Sequence, residues 1–195
     1  MITIYDEIIQ GSDEWFEIRK RKLTGSHATS IAANGKGLIT YCKEIVIDLI
    51  RITERNNFIS KDMERGNLLE PTARNAYEFE KGVKIKEVGF IENSKYENVG
   101  ISPDGLINDD GGIEIKARND IKHFSLLKGE TTEIPYNQIQ MCLMITNRDW
   151  WDFVSINTNF KEFLFIKRIF PDYDYFKKLE KGFKKGNELI NEYLK

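Results

Sequence analysis

The stretch that most constrains this chain spans residues 100–119, GISPDGLINDDGGIEIKARN. Ile113, Ile115 and Ala117 alternate with Glu114, Lys116 and Arg118. At a strand period of 2, the isoleucines face one way and the glutamate and lysine the other. A strand this apolar is buried on at least one side. A carboxylate and an ammonium sharing its other side need a partner, and a divalent metal with a phosphate would serve.

Asp104 stands on a Pro-Asp-Gly turn ten residues before Glu114, across a predicted hairpin whose Gly-rich loop is 108–112. The hairpin brings the first carboxylate back beside the second. Two carboxylates this close repel unless a cation lies between them. Magnesium suits the set, because it takes oxygen donors and keeps waters for substrate and nucleophile. Lys116 is the group to hold or deprotonate an attacking water and to offset charge on a phosphate. The bland alternative is an ordinary Asp-Gly turn beside a solvated Glu-x-Lys face. The order of acidic residue, turn and Glu-x-Lys on an isoleucine-rich strand favours the site. Asp109 and Asp110 are rival ligands, or solvated loop residues.

At 195 residues the chain is expected to be one domain, 1–195. Its 41% apolar and 31% charged residues exclude a disordered chain. No apolar run approaches a membrane span, and Asp6 and Glu7 stand where a signal peptide would be basic, so a cytoplasmic location is expected. Cys42 and Cys142 lack Cys-x-x-Cys spacing and read as two buried thiols. The net charge of −2 gives no global support for a nucleic-acid partner, yet acidic ligands lower that total and basic residues can be local.

Ser12 caps a predicted helix over 14–22, whose basic run 19–22 suits a helix C-terminus. Arg19 with Ser26 or Thr24 either cradles a phosphate or belongs to a solvated helix end. His27 reads as a surface or packing histidine. Helices are predicted over 27–33, with Gly35 to Gly37 as the break, and over 40–54; a polar stretch follows at 54–62. Another helix runs from Glu70-Pro71 to Lys81, in which Glu70 is open as a third metal-side carboxylate while Glu78 and Glu80 face solvent. Strands are predicted at 83–90 and 95–101, and a loop or short helix within 120–133. A helix at 135–145 is capped by Thr131 or Thr132. Its Gln138 and Gln140 are surface amides or donors to a substrate. Strands at 150–156 and 163–170 form an antiparallel pair, and Pro171 opens a final helix. Residues 161–185 carry eight basic against four acidic side chains, a candidate wall for an anionic groove. A central mixed β-sheet flanked by helices fits this order.

Five motifs carry a family likeness: EWFEIR at 14–19 with TGS at 24–26, ERGNLLEPTAR at 64–74, SPDGL at 102–106, IEIK at 113–116 and YNQIQM at 136–141. In these the chain resembles the lambda exonuclease and YqaJ-like phage alkaline exonucleases of the PD-(D/E)xK nuclease superfamily. The resemblance implies a restriction-endonuclease-like α/β core. It implies Asp104, Glu114 and the carbonyl of Ile115 as metal ligands, with Lys116 as the catalytic lysine. Glu70 acts in the same site, and Gln138 stands behind it. Arg19 takes a 5′ phosphate with Ser26 and Thr24 beside it. The implied activity is Mg2+-dependent 5′-to-3′ digestion of linear double-stranded DNA, through two ions that Mn2+ can replace. It releases nucleoside 5′-monophosphates and leaves 3′ single-stranded tails. Partners implied are copies of the chain in a ring trimer and a single-strand annealing protein, within a phage-infected or prophage-bearing bacterium. Alternatives are an endonuclease on the same core and a non-catalytic DNA-end-binding protein.

Overall fold

The Glu-x-Lys segment is strand β7 (Gly111–Ala117), at the centre of a five-stranded sheet. A computed structural model describes residues 1–53 and 61–195, and the backbone alone of 61–63. The sheet is ordered β3 (Ile85–Lys86), β6 (Gly105–Ile107), β7, β8 (Trp150–Ile156) and β9 (Leu164–Ile169). Its pairs are antiparallel except β7 with β8, which are parallel, with Glu114 opposite Phe153 and Lys116 opposite Ser155. A parallel pair needs a long crossover. Here it contains α5 (Asp120–Leu127) and α6 (Tyr136–Thr146).

Alternation then sorts the residues into two layers. Ile113, Ile115, Val154 and Ile156 face α4 (Lys61–Lys81) and pack with its Ala73 and Tyr77. Trp151 and Phe153 face the opposite way, toward the core that holds α6. Residues 139–146 of α6 are all buried, as expected of a helix that is apolar all round. That larger core also takes in α2 (Ala28–Ala33), α3 (Lys36–Ile50) and α7 (Tyr173–Tyr193). On α7, Gly182 lies so close to α2 that an added Cβ would stand 2.1 Å from the Ile31 carbonyl oxygen.

One sheet was expected and two are present. The second has the order β1 (Ile2–Tyr5), β4 (Phe90–Asn93), β5 (Val99–Ile101), β2 (Leu23–Thr24). The expected strand 83–90 divides between them at Gly89, whose N–H donates to the Tyr5 carbonyl and where a Cβ would meet the Ile8 carbonyl at 2.1 Å. The crossing N-terminal segment thus bends the chain out of one sheet and into the other. The expected strand 95–101 is shortened to β5 by a turn in which Asn98 has φ 50°.

Helix boundaries also moved. α1 (Asp13–Arg19) starts on the Ser12 cap, which accepts from the Trp15 N–H, but stops at Arg19 because Arg21 turns left-handed at φ 62°. Arg19 therefore closes the helix as expected, while the rest of the basic run forms the turn after it. A short 3₁₀ turn (Gly25–His27) precedes α2, and left-handed Asn34 ends it, so α3 begins at Lys36 and not after Gly37. α4 begins at Lys61, well before the expected start at Glu70-Pro71, and carries Pro71 inside it. The polar stretch 54–62 lies outside the described residues as far as 60. α6 is capped by Pro135 without a threonine, and α7 by Asp172, whose Oδ1 accepts from the N–H groups of Asp174 and Tyr175. Among the described residues no helix is long and apolar enough to cross a membrane.

Candidate active site

Asp104 sits on the turn between β5 and β6, and its Oδ2 accepts the N–H of Ile115 at 2.6 Å. That bond fastens the Pro-Asp-Gly turn to β7 beside Glu114. Glu114 has no exposed surface. Its Oε1 accepts from Gln138 Nε2 at 2.7 Å and is ion-paired with Lys116, while its Oε2 is buried with no protein partner. Glu70 reaches the same place from α4, and Arg74, one turn on, donates to its Oε1 at 2.7 Å. Glu70, Asp104, Ile115 and Lys116 line a cleft of about 330 Å³ rimmed by Arg65, Arg118 and Lys122. The structure thus places Glu70, Asp104, Ile115 and Lys116 on one cleft, with Glu114 buried behind it against Lys116 and Gln138. Among the described residues, no three His, Cys, Asp or Glu side chains are gathered closely enough to hold an ion by themselves.

The electrostatics are those of crowded acids. Burial, then the charge of Asp104, raises Glu114 from 4.5 to about 7. The same two causes raise Glu70 to about 7 against the opposing pull of Arg74 and Lys116. Burial alone would lower Lys116, but Glu114 and Asp104 outweigh it and hold the ammonium charged, its pKa raised. Two carboxylates are too close for desolvation by the strand to prevail. A buried carboxylate oxygen without a partner, between acids that resist ionising, fits a divalent cation.

Arg19, Thr24 and Ser26 line a second cleft of about 230 Å³. The guanidinium of Arg19 lies over the Trp15 ring, 4.0 Å from its centroid, and donates to Ser102 Oγ at 2.8 Å. Burial lowers the pKa of Arg19, with only Tyr41 opposing. Lys20 and Lys22 are drawn instead to Glu17 and Glu92. Thr24 is buried, its hydroxyl 3.0 Å from the Tyr41 hydroxyl, whereas Ser26 is exposed. His27 stacks flat on Tyr41 with centroids 3.6 Å apart, a packing histidine as expected.

Segment 102–104 links the two clefts: Ser102 accepts from Arg19, which lines one, and Asp104 lines the other. Pro103 between them is held by Gln10, whose Nε2 donates to the carbonyls of Pro103 at 2.8 Å and Val88 at 3.0 Å. Sequence reading missed Ser102, Gln10 and Arg74. Only Arg74 left a trace, its spacing of four from Glu70 on a helix.

Other expectations are corrected. Gln140 is no surface amide; it is fully buried, donating to the Phe170 carbonyl and accepting from the Asp172 N–H. Glu78 does not simply face solvent, since it accepts from the Ile85 N–H at 2.8 Å and pairs with Lys84. The basic residues of 161–185 line neither cleft. Asp109 and Asp110 lie exposed on the hairpin loop, where Asp110 accepts from Trp150 Nε1.

An acidic turn, a Glu-x-Lys strand and a helical glutamate meeting at one end of a mixed sheet define a nuclease core of the PD-(D/E)xK kind. The chain belongs to the YqaJ-like viral recombinase family, whose domain matches residues 14–149. No protein of curated function matches it in sequence. The structure is similar to that of the alkaline exonuclease LHK-Exo from Laribacter hongkongensis, with a TM-score of 0.84 and 32% identity over 94% of this chain and 96% of that one. LHK-Exo in complex with dAMP matches with a TM-score of 0.83, at the same identity and coverage. A phage related exonuclease from Haemophilus somnus 129PT shares the fold, with a TM-score of 0.66 and 14% identity over 89% of this chain and 95% of that one.

Proposed function

We propose that this chain is a DNA exonuclease that digests linear duplex from the 5′ end, depends on Mg2+, releases nucleoside 5′-monophosphates and leaves 3′ single-stranded tails. The observation that carries this is the convergence of Asp104, Glu70 and Lys116 on one cleft, with Glu114 buried behind it against Lys116 and its Oε2 unpartnered. Family membership and the likeness to a 32%-identical alkaline exonuclease support the enzyme class, and that protein's complex with dAMP supports a mononucleotide product.

Asp104, Glu114, the Ile115 carbonyl and Glu70 are the groups that would hold the ions, one or two of them, with Mn2+ able to substitute. When bound, the metal supplies charge compensation at the scissile phosphate and a more acidic water. The protein's own groups do the rest. The N–H of Ile115 and the amide of Gln138 fix Asp104 and Glu114 in place, so no reorganisation is needed as charge develops. Lys116 keeps its proton and presents an ammonium to the phosphate and the attacking water. Arg19, with Ser26 at its cleft and one nitrogen held by Ser102, offers a fork of donors to a terminal phosphate, and Arg matches phosphate geometry better than Lys. The same reading includes a ring-shaped homo-oligomer, a single-strand annealing partner and action in the host cytoplasm.

The test is a time course with Mg2+ on 5′-labelled and 3′-labelled linear duplex, beside a covalently closed circle and the Lys116→Ala protein. Mononucleotides appearing first from the 5′ label, an intact circle and a strongly slowed variant are expected. Cutting of the circle would establish an endonuclease instead, and DNA binding with no nucleotide release would establish an end-binding protein.

A further inference from the structure

We propose that Arg74 is a positioning residue that fixes Glu70 against the Asp104 turn and thereby sets the protein's affinity for its divalent cation. This rests on the metal-dependent reading above. The Arg74 side chain is only 13% exposed. One terminal nitrogen donates both to Glu70 Oε1 at 2.7 Å and to the Asp104 carbonyl at 3.3 Å, and the other pairs with Glu87 Oε1 at 2.9 Å. A single rigid plane therefore spans α4, the turn that bears Asp104 and the segment leading to Gly89.

Glu70 needs such a restraint. Its side chain is 33% exposed, on a flexible stem, beside the like charge of Asp104. Unrestrained, it would swing to water and leave the cleft. Arg74 holds one of its oxygens, and with the same nitrogen grips the backbone of Asp104, so the separation of the two acidic groups is set by a planar group. Glu70 then serves the cleft through the oxygen that Arg74 does not hold. The guanidinium stays in this place although its Nε is buried without a partner, a cost that the two-sided grip offsets. Glu87 is 69% exposed, so that pair adds little.

The test titrates DNA-free protein with Mn2+ by calorimetry for the wild type, R74A, R74K, E70Q and the E70Q/R74A double variant, with melting temperatures measured in chelator. R74A is expected to weaken Mn2+ binding by about tenfold or more, as losing a partner of a metal ligand does. R74K, which keeps the charge but not the fork, should fall between R74A and the wild type. The double variant should bind no more weakly than E70Q, because Arg74 acts through Glu70. Melting temperatures in chelator should separate metal affinity from folding; if R74A does not fold, R74K carries the comparison. Wild-type affinity in R74A or R74K, or losses that add fully to that of E70Q, would overturn the proposal. A wild type that binds Mn2+ but releases no nucleotide sinks the exonuclease reading alone; one that binds no Mn2+ sinks both.

Discussion

Glu114 concentrates the chemistry at the residue scale, being fully buried with one oxygen shared by Gln138 and Lys116 and the other unpartnered. Raised pKa values at Glu114 and Glu70 make metal-free stability depend on pH in a definite direction. Their folded values near 7 exceed the ordinary 4.5, so between these values the folded state holds protons that the unfolded chain has released. Stability from these groups therefore falls as pH rises from about 4.5 to about 7 and is level above. In chelator the protein should melt at a higher temperature near pH 5.5 than at pH 8, and Mg2+ should raise the melting temperature at pH 8. A flat profile in chelator would contradict the crowding of acids. Lys116→Ala should lower kcat by roughly 10²–10³-fold, the scale of losing one preorganised electrostatic donor, without changing the melting temperature by more than a few degrees. Arg19→Lys should raise KM about tenfold, or about 1.4 kcal/mol, on 5′-phosphorylated duplex. It should leave 5′-hydroxyl duplex nearly unaffected, a contrast that steady-state kinetics on the two substrates would show.

At the scale of elements, each site group arrives on a different support: Asp104 on a turn, Glu114 and Lys116 on β7, Glu70 on α4, Gln138 on α6. The supports are held by close packing, so the same substitution should have opposite effects at two helical glycines. Gly182→Ala places a Cβ 2.1 Å from the Ile31 carbonyl oxygen and must push α7 off α2, costing about 1–3 kcal/mol. Gly66→Ala meets nothing within 4 Å on α4 and should gain about 0.5–1 kcal/mol from helix propensity. Urea midpoints for the two variants check both signs.

At the scale of the whole molecule, one core joins the two sheets. Ile91, Val99 and Ile101 of the four-stranded sheet share it with Trp151 and Phe153 of the five-stranded sheet, through α6. We therefore propose that 1–195 is one folding unit, with a single cooperative transition by both circular dichroism and tryptophan fluorescence. Two separated transitions would show that the sheets melt independently. The arrangement also fixes the two clefts relative to each other. Segment 102–104, tied by Arg19, Gln10 and Arg74, spans the short path between them and leaves little play in their spacing.

What the residues alone determined was chemistry that repeats at short range. The alternation of Ile113 and Ile115 with Glu114 and Lys116 needed only the pleat of a strand. The return of Asp104 to Glu114 needed only a hairpin. Both were legible because local backbone geometry decides them. Folding decided what depends on distant partners. Gly89 divides one expected strand between two sheets because the N-terminal segment crosses it. α1 ends early because Leu23 must pair with Val99, far along the chain. The charge of Lys116 depends on Asp104 as well as on its strand neighbour. Ser102 and Arg74 gained their places from contacts 83 and 30 residues away, which no local pattern encodes.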